Sequence, residues 1–140
     1  MKLMTTRTLP RFLFVLMLVG LAACSRAQPI MTVHQQLPAT TTLSDEQLRE
    51  PLIRALTRAK WTLEEEEANR ILARIDFRQH SASITIDYAG GRYDIRYRDS
   101  HDLDYADGKI HKRYNALVKK LNRVILQEVR IAQNLTGSLQ

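Results

Sequence analysis

Two stretches of alternating apolar and polar residues, joined by a pair of glycines, constrain the fold of this chain more than any other feature. The alternation places apolar side chains at Ala82, Ile84, Ile86, Tyr88, Tyr93, Ile95 and Tyr97. The Gly90-Gly91 pair between the stretches is typical of a tight hairpin turn. A similar alternation runs through residues 71–77, and Trp61 with Leu63 could begin a first strand. Connections this short join antiparallel neighbours, so the sequence predicts a meander of three or four strands.

A helix is predicted to begin at Ser44, before the strands. Ser44 and Gln47 have the spacing of a capping box, and Leu43 precedes them as part of a hydrophobic staple. Apolar residues then recur on one helical face, at Leu48, Leu52, Ala55, Leu56 and Ala59. Pro51 lies inside this pattern and lacks a backbone donor, so it is expected to kink the helix or to delay its regular part.

A second, longer helix is predicted from Ile110 to Gln133. Its apolar face carries Tyr114, Leu117, Val118, Leu121, Val124 and Ile125. Because Glu128 falls in the middle of this face, packing against the sheet is expected to end near Ile125 and the last turns to project outward.

Two amphipathic helices and a sheet with one apolar face predict an α+β two-layer sandwich, in which the meander is flanked by an N-terminal and a long C-terminal helix in the order α-β-β-β-β-α. Trp61 is expected in the core, where the first helix meets the sheet. The other face of the sheet is expected to be polar, with Arg74, Asp76, Ser83, Thr85, Asp87, Asp94 and Arg96.

The first 24 residues have the features of a bacterial export signal. Three basic residues come first, at Lys2, Arg7 and Arg11. An apolar run at 12–19 follows, shorter than the ~20 residues of a membrane-spanning helix. Leu21-Ala22-Ala23-Cys24 then matches the lipobox of bacterial lipoproteins, in which the cysteine receives a diacylglyceryl group, signal peptidase II cuts before it and the new amine is acylated. The alternative is an ordinary secretory signal with Cys24 as a chance neighbour, but Cys24 is the only cysteine.

Lipidation at Cys24 predicts where the protein resides and how it is organised. Two or more acyl chains hold a protein firmly in a bilayer. Ser25 stands where an aspartate marks inner-membrane retention in enteric-type bacteria, so the resemblance to that sorting rule favours the periplasmic leaflet of the outer membrane. The expected organisation is a signal peptide at 1–23, a lipidated cysteine and flexible tether at 24–43, the α+β domain at 44–133 and a disordered tail at 134–140.

The charge balance argues against nucleic acid as a partner. The chain of 140 residues has a net charge of +6. Removing the three cations of the signal leaves 18 basic and 15 acidic side chains, a net charge of +3. So mild an excess is not typical of nucleic-acid binding. A single cysteine also excludes an internal disulfide framework and a multi-cysteine zinc site, and no cofactor is expected.

Several short segments carry a family resemblance. The most specific are Tyr97-Arg-Asp-Ser100 and Ile110-His111 with Tyr114-Asn115. Over roughly residues 43–125 the chain resembles a group of small, uncharacterised proteobacterial lipoproteins. Lys60 and Leu117 depart from the pattern of that group, where a glycine and an aromatic residue are common. The group has no established activity, so the resemblance implies only the fold and the location.

Four histidines raise the question of a metal or catalytic site: His34, His80, His101 and His111. None has the two-ligand helical spacing of a zinc protease. His111 follows an acidic loop at 102–108, and a structural hydrogen bond is favoured for it. That loop departs from a calcium-binding EF-hand by an extra residue and by Arg113 at its twelfth position. No Gly-x-Ser-x-Gly elbow occurs, and an enzyme is not expected.

Charge is patterned only on the long helix. Four basic residues lie within ~20° of one common direction on a helical wheel, opposite the apolar face: Lys112, Lys119, Arg123 and Arg130. They form either a solvated outer face or a contact with an anionic envelope surface. The sequence therefore predicts a non-enzymatic structural or partner-binding lipoprotein, with another envelope protein or an anionic surface as partner. The alternative is a small periplasmic ligand-binding or enzymatic domain using the region of His111 and Tyr114.

Overall fold

The computed structural model describes residues 26–138, in which two helices cover one face of an antiparallel sheet. The elements are β1 (Ala27–Pro29), β2 (Val33–Gln36), α1 (Asp45–Ala59), β3 (Thr62–Glu67), β4 (Arg70–Phe77), β5 (His80–Ala89), β6 (Arg92–His101), β7 (Lys109–His111) and α2 (Lys112–Gly137). Five strands form the main sheet in the order β2-β6-β5-β4-β3, and β1 pairs with β7 in a separate two-stranded sheet. The α+β class, the meander and the two flanking helices are confirmed.

The meander forms because each central strand buries one set of alternate side chains. The buried set comprises Ile71, Ala73 and Ile75 on β4, Ala82, Ile84, Ile86 and Tyr88 on β5, and Tyr93 and Ile95 on β6. At the predicted hairpin, Gly90 and Gly91 have φ values of +59° and +72°. This left-handed backbone, which favours glycine, lets β6 return directly alongside β5.

Residues 26–37 are not the flexible tether that was predicted within 24–43. β2 pairs with β6, aligning Val33 with Ile95, and the side chains of Val33 and Leu37 are buried. Strands of three or four residues show too little periodicity to recognise. Their partners also lie 56 to 84 positions further along the chain, from Gln36 with Arg92 to Ala27 with His111. The folded unit therefore includes residues 26–37, ahead of the predicted start at residue 44.

α1 begins with the predicted capping box. The Oγ atom of Ser44 accepts a hydrogen bond from the N–H of Gln47 at 3.2 Å, and the Gln47 side chain accepts one from the Ser44 N–H at 3.0 Å. Pro51 is buried inside the helix. Since the helix already begins at Asp45, the expected delay of its regular part is wrong.

The end of α1 is closed by Lys60, whose φ of +70° is left-handed. The N–H of Lys60 donates to the carbonyls of Leu56 and Thr57, and the N–H of Trp61 donates to Leu56 at 2.9 Å. This ending turns the chain so that Trp61 enters the core, where it is 3% exposed. The predicted burial of Trp61 is confirmed. The family resemblance leads one to expect glycine at position 60, which is the residue that a left-handed helix ending favours.

α2 begins later and ends later than the predicted Ile110–Gln133. Ile110 lies in β7, and the helix runs from Lys112 to Gly137. Residues 134–137 are therefore helical rather than part of a disordered tail. No helix within residues 26–138 is long and apolar enough to span a membrane.

Glu128 joins the two helices. It is 4% exposed, and its carboxylate accepts hydrogen bonds from Arg54, at 2.9 Å, and from Arg58. Burial by itself would raise the pKa of Glu128, but these hydrogen bonds outweigh burial and hold the pKa below its ordinary value. Val129 is buried as well, so the expectation that the turns after Ile125 project outward is wrong. The acidic residue belongs in the interface because its partners lie on the other helix.

Candidate functional site

The predicted lipidation site, Cys24, lies outside the described residues, but the chain that follows it is held against the domain. The carbonyl of Arg26 accepts a hydrogen bond of 2.8 Å from the N–H of Lys112, at the first turn of α2. The N–H of Ile30 donates to the carbonyl of Gly108 at 2.9 Å. The described chain thus starts in contact with the N-terminus of α2, two residues after Cys24.

Asn115, on α2, forms side-chain hydrogen bonds with the same segment. Its Oδ1 atom accepts a hydrogen bond from the N–H of Met31 at 3.0 Å. Its Nδ2 atom donates to the carbonyl of Pro29 at 2.9 Å and to the side-chain oxygen of Gln28 at 3.3 Å. Asn115 is 7% exposed, so these bonds are sheltered from bulk water. A residue that carries the family resemblance therefore has a structural role here.

A cleft of about 440 Å³ opens beside this segment. It is lined by the turn between β4 and β5, the loop after β6 and the start of α2, with Arg26, Phe77, Arg78, His80, Asp102, Leu103, Asp104, His111 and Arg113. The guanidinium of Arg113 lies 5.9 Å from the centre of the Phe77 ring, within cation–π range. Within residues 26–138, no carboxylate forms an ion pair with Arg26, Arg78 or Arg113.

Hydrogen bonds fix the ring protons of the two histidines in the cleft. His80 donates from Nδ1 to the carbonyl of Asp102 at 2.7 Å. His111 accepts at Nδ1 from the N–H of Arg113 at 3.1 Å and so caps α2. When neutral, His111 must then carry its proton on Nε2. The structural hydrogen bond predicted for His111 is confirmed.

The alternative site around His111 and Tyr114 forms only in part. His111 and the loop aspartates Asp102 and Asp104 line the same cleft. Tyr114 instead lies in the core with no exposed surface, and its hydroxyl has no hydrogen-bond partner among the described residues. Burial raises the pKa of Tyr114. Tyr114 is therefore a packing residue and not a group that reaches the cleft.

The other two histidines do not line the cleft. His34 Nδ1 is 2.7 Å from Asp94 Oδ1, and His101 Nε2 is 3.3 Å from Asp102 Oδ2. Three aspartates of the loop after β6 have left-handed backbones: Asp102, Asp104 and Asp107. Across the part of the chain that the structure describes, no group of three His, Cys, Asp or Glu side chains is arranged to hold a metal ion.

The predicted basic row on α2 is exposed, and none of its members forms an ion pair within residues 26–138: Lys112, Lys119, Arg123 and Arg130. α2 runs from the cleft to the opposite end of the sheet, where Gln133 donates to the carbonyl of Thr40 at 2.6 Å. At ~1.5 Å per residue, the row extends roughly 27 Å away from the cleft. It therefore cannot act as one compact patch beside Cys24.

The second candidate surface is the face of the main sheet that the helices leave open. On the central strand β5, Asp87 accepts hydrogen bonds from Arg70 of β4, at 2.6 Å, and from Arg96 of β6. Two further ion pairs lie on neighbouring strands, His34 with Asp94 and Arg74 with Asp76. The predicted polar character of this face is confirmed.

One ion pair on the same open face joins two strands that are not neighbours in the sheet. Arg98 of β6 pairs with Glu64 of β3, although β5 and β4 lie between those strands. The pair therefore crosses the two central strands. Ser83 of β5, a predicted member of this polar face, is only 4% exposed.

Local patterns do not reveal that Arg26, Phe77, Arg78 and His80 share one cleft. Arg26 falls in the segment that composition indicates is a tether, and the other three flank a tight turn. The turn that brings three of these residues together has Arg78 at its left-handed position, with a φ of +58°. The cleft had to be found from the fold because its residues come from four separate segments.

The other residues that carry the family resemblance meet around Tyr97. Its ring stacks on Tyr105 with centroids 4.6 Å apart and meets Tyr114 edge-on at 5.6 Å. Its hydroxyl shares a hydrogen bond of 2.9 Å with Ser100.

The chain matches no protein-family model, no curated protein and no solved structure. Membership of a lipoprotein group is therefore a proposal that rests on the sequence resemblance.

Proposed function

We propose that this chain is an envelope lipoprotein, anchored through acyl chains on Cys24, whose domain binds another envelope protein through the open face of its sheet. The lipobox supports the anchor, and Ser25 after Cys24 favours the periplasmic leaflet of the outer membrane. The docking of Arg26 on Lys112 supports a domain held next to the membrane, without a long linker.

The open sheet face is the observation that carries the binding role. With four spacings of ~4.8 Å between strands up to ~30 Å long, its area is about 600 Å². A standard protein interface buries about 800 Å² per partner. The face thus offers most of the area that a specific partner needs, on a rigid support.

Paired charges make this face suited to a polar partner rather than to a lipid. Asp87 holds both Arg70 and Arg96, so these long side chains are already ordered before a partner arrives. Ordering them in advance lowers the entropy cost of association. Complementary charges on a partner would set the register of binding.

The proposed role is non-enzymatic. The arrangement of the two groups singled out for chemistry supports it: Nδ1 of His111 caps a helix, and Tyr114 packs against Tyr97 in the core. Both side chains serve the fold.

In-cell crosslinking tests the binding role. A photoactivatable amino acid at Thr85, on the open face, is expected to give one dominant crosslinked protein, while the same amino acid at Lys120, exposed on α2, does not. Adding Asp87→Arg should abolish the Thr85 product, because it reverses the charge that holds Arg70 and Arg96 in place. Equal products from both positions, or a product that survives Asp87→Arg, would contradict the proposal.

Metabolic labelling tests the anchor separately. A palmitate analogue should label the wild-type chain and not Cys24→Ser. Equal labelling of the two proteins would contradict lipidation at Cys24.

A further inference from the structure

The attachment point of the proposed lipid lies beside the cleft. Consecutive Cα atoms are 3.8 Å apart, so the Cα atom of Cys24 lies within about 8 Å of that of Arg26. Arg26 lines the cleft and is fixed to Lys112 by its carbonyl. A membrane that holds acyl chains on Cys24 therefore lies against this end of the domain.

The same end presents cations that the fold leaves unpaired. Arg26, Arg78 and Arg113 are exposed, line the cleft and have no carboxylate partner within residues 26–138. Their planar guanidinium groups match the oxygens of a phosphate group. His111 adds a donor at Nε2.

We propose that this cleft binds the phosphate of an anionic phospholipid headgroup, so that the domain stands with its cleft end on the membrane. The proposal rests on the lipid anchor at Cys24. Asp102 and Asp104 also line the cleft, which leaves one net positive charge among its arginines and aspartates. Lys109 and Lys112, both exposed at the same end, add to that charge.

This orientation divides the basic row of α2. Lys112 lies at the membrane end, whereas Arg123 and Arg130 lie about 17 Å and 27 Å further along the helix. The Debye length at physiological salt is about 8 Å. The far half of the row is therefore screened from the lipid charges, and only the near half contributes.

Site-specific fluorescence quenching tests the orientation on the lipidated protein. Cys24 is the only cysteine, so its acylation leaves an introduced cysteine as the single thiol for a dye. Gln79→Cys marks the cleft end and Ala89→Cys the opposite end, both at exposed positions. Nine steps along β5 lead from His80 to Ala89, a distance of roughly 30 Å. In vesicles of phosphatidylcholine and phosphatidylglycerol with quencher-bearing headgroups, quenching at Gln79→Cys should be at least threefold stronger than at Ala89→Cys.

A matched pair of charge variants assigns the effect to the cleft. Replacing Arg26, Arg78 and Arg113 by Gln should reduce the difference to well below threefold, because only the anchor then keeps this end near the membrane. Replacing Lys120, Arg123 and Arg130 by Gln removes the same charge from the far part of α2 and should leave the difference intact. Equal responses of the two triple variants would overturn the proposal.

Two further measurements identify the ligand and separate the two proposals. The difference should shrink in vesicles of phosphatidylcholine alone. Inorganic phosphate added to the detergent-solubilised protein should not change the fluorescence of Gln79→Cys; a saturable change, with equal quenching at both positions on vesicles, would instead indicate a site for free phosphate. The mass of the purified protein reports acylation independently. An unacylated protein contradicts the anchor, whereas an acylated protein with equal quenching contradicts only the orientation.

Discussion

The side chain of Asn115 holds the backbone of Met31 through a hydrogen bond of 3.0 Å between Oδ1 and N–H. The same amide donates to Pro29 at 2.9 Å. Asn115→Ala leaves these sheltered backbone groups without partners, so we expect it to lower the free energy of unfolding by about 1–3 kcal/mol. Hydrogen exchange in residues 26–31 should accelerate in this variant. Asn134→Ala, at an exposed position, is the control; unchanged exchange in Asn115→Ala would show that the segment is held by other contacts.

Two buried tyrosines should respond oppositely to loss of their hydroxyls. Tyr93 donates to Asn122 Oδ1 at 2.6 Å, whereas the Tyr114 hydroxyl has no partner among the described residues. Tyr93→Phe should lower the free energy of unfolding by about 1 kcal/mol. Tyr114→Phe should be neutral or stabilising, because it removes a polar group whose burial is uncompensated. Urea denaturation measures both, and equal losses would contradict this reasoning.

Glu128 should contribute stability that depends on pH. Although burial opposes them, hydrogen bonds from Arg54 and Arg58 hold its pKa in the folded protein below the ordinary value of a glutamate. The stabilisation is therefore present above the unfolded-state pKa and is lost as the pH falls through the folded-state pKa. Glu128→Gln should lower the free energy of unfolding at pH 7 by about 1–3 kcal/mol, near the lower end because Arg54 and Arg58 are half-exposed.

The pH profile distinguishes this effect from a general loss of packing. Between pH 5 and pH 3, wild-type stability should fall more steeply than that of Glu128→Gln. Glu65→Gln, at an exposed position of β3, should keep the wild-type slope. Parallel profiles for wild type and Glu128→Gln would refute the role assigned to the carboxylate.

The elements that sequence patterns located are those whose signal is local. The period of two residues in β4, β5 and β6 and the capping box at Ser44 can be recognised without knowing any tertiary partner. β2 could not be recognised, because four residues form a strand only when β6 offers a free edge. Glu128 was placed outside the packed region because its partners, Arg54 and Arg58, lie on another helix. The cleft was missed for the same reason, since it joins residues distant in sequence.

Lys60 is a site where one substitution should stabilise the fold. Its φ of +70° costs a residue with a side chain about 1–2 kcal/mol. Lys60→Gly should therefore raise the free energy of unfolding by about 0.5–1 kcal/mol, after the greater flexibility of glycine in the unfolded chain is subtracted. Lys60→Ala keeps a Cβ atom and should give no such gain. Equal stability of the Gly and Ala variants would contradict this explanation.

Trp61 should be the most damaging single residue to truncate. It is 3% exposed at the junction of α1 and β3. Removing a buried tryptophan side chain costs about 3–5 kcal/mol, a large share of the 5–15 kcal/mol typical of a folded protein. Trp61→Ala should lose the circular dichroism of the folded state at physiological temperature, while Trp61→Phe retains it. A melting temperature of Trp61→Ala within two degrees of wild type would refute the placement.

The pairing of β1 with β7 determines how long the segment that follows Cys24 stays unpaired during folding. Met31 and Asn115 are 84 positions apart. A chain exported from its N-terminus exposes residues 26–36 while their partners are still on the far side of the membrane, and contacts this distant in sequence form late. For the proposed lipoprotein, this interval is when modifying enzymes reach Cys24 most freely. Once Arg26 docks on Lys112, folded protein flanks the cleavage site, so maturation and folding compete for the same few residues.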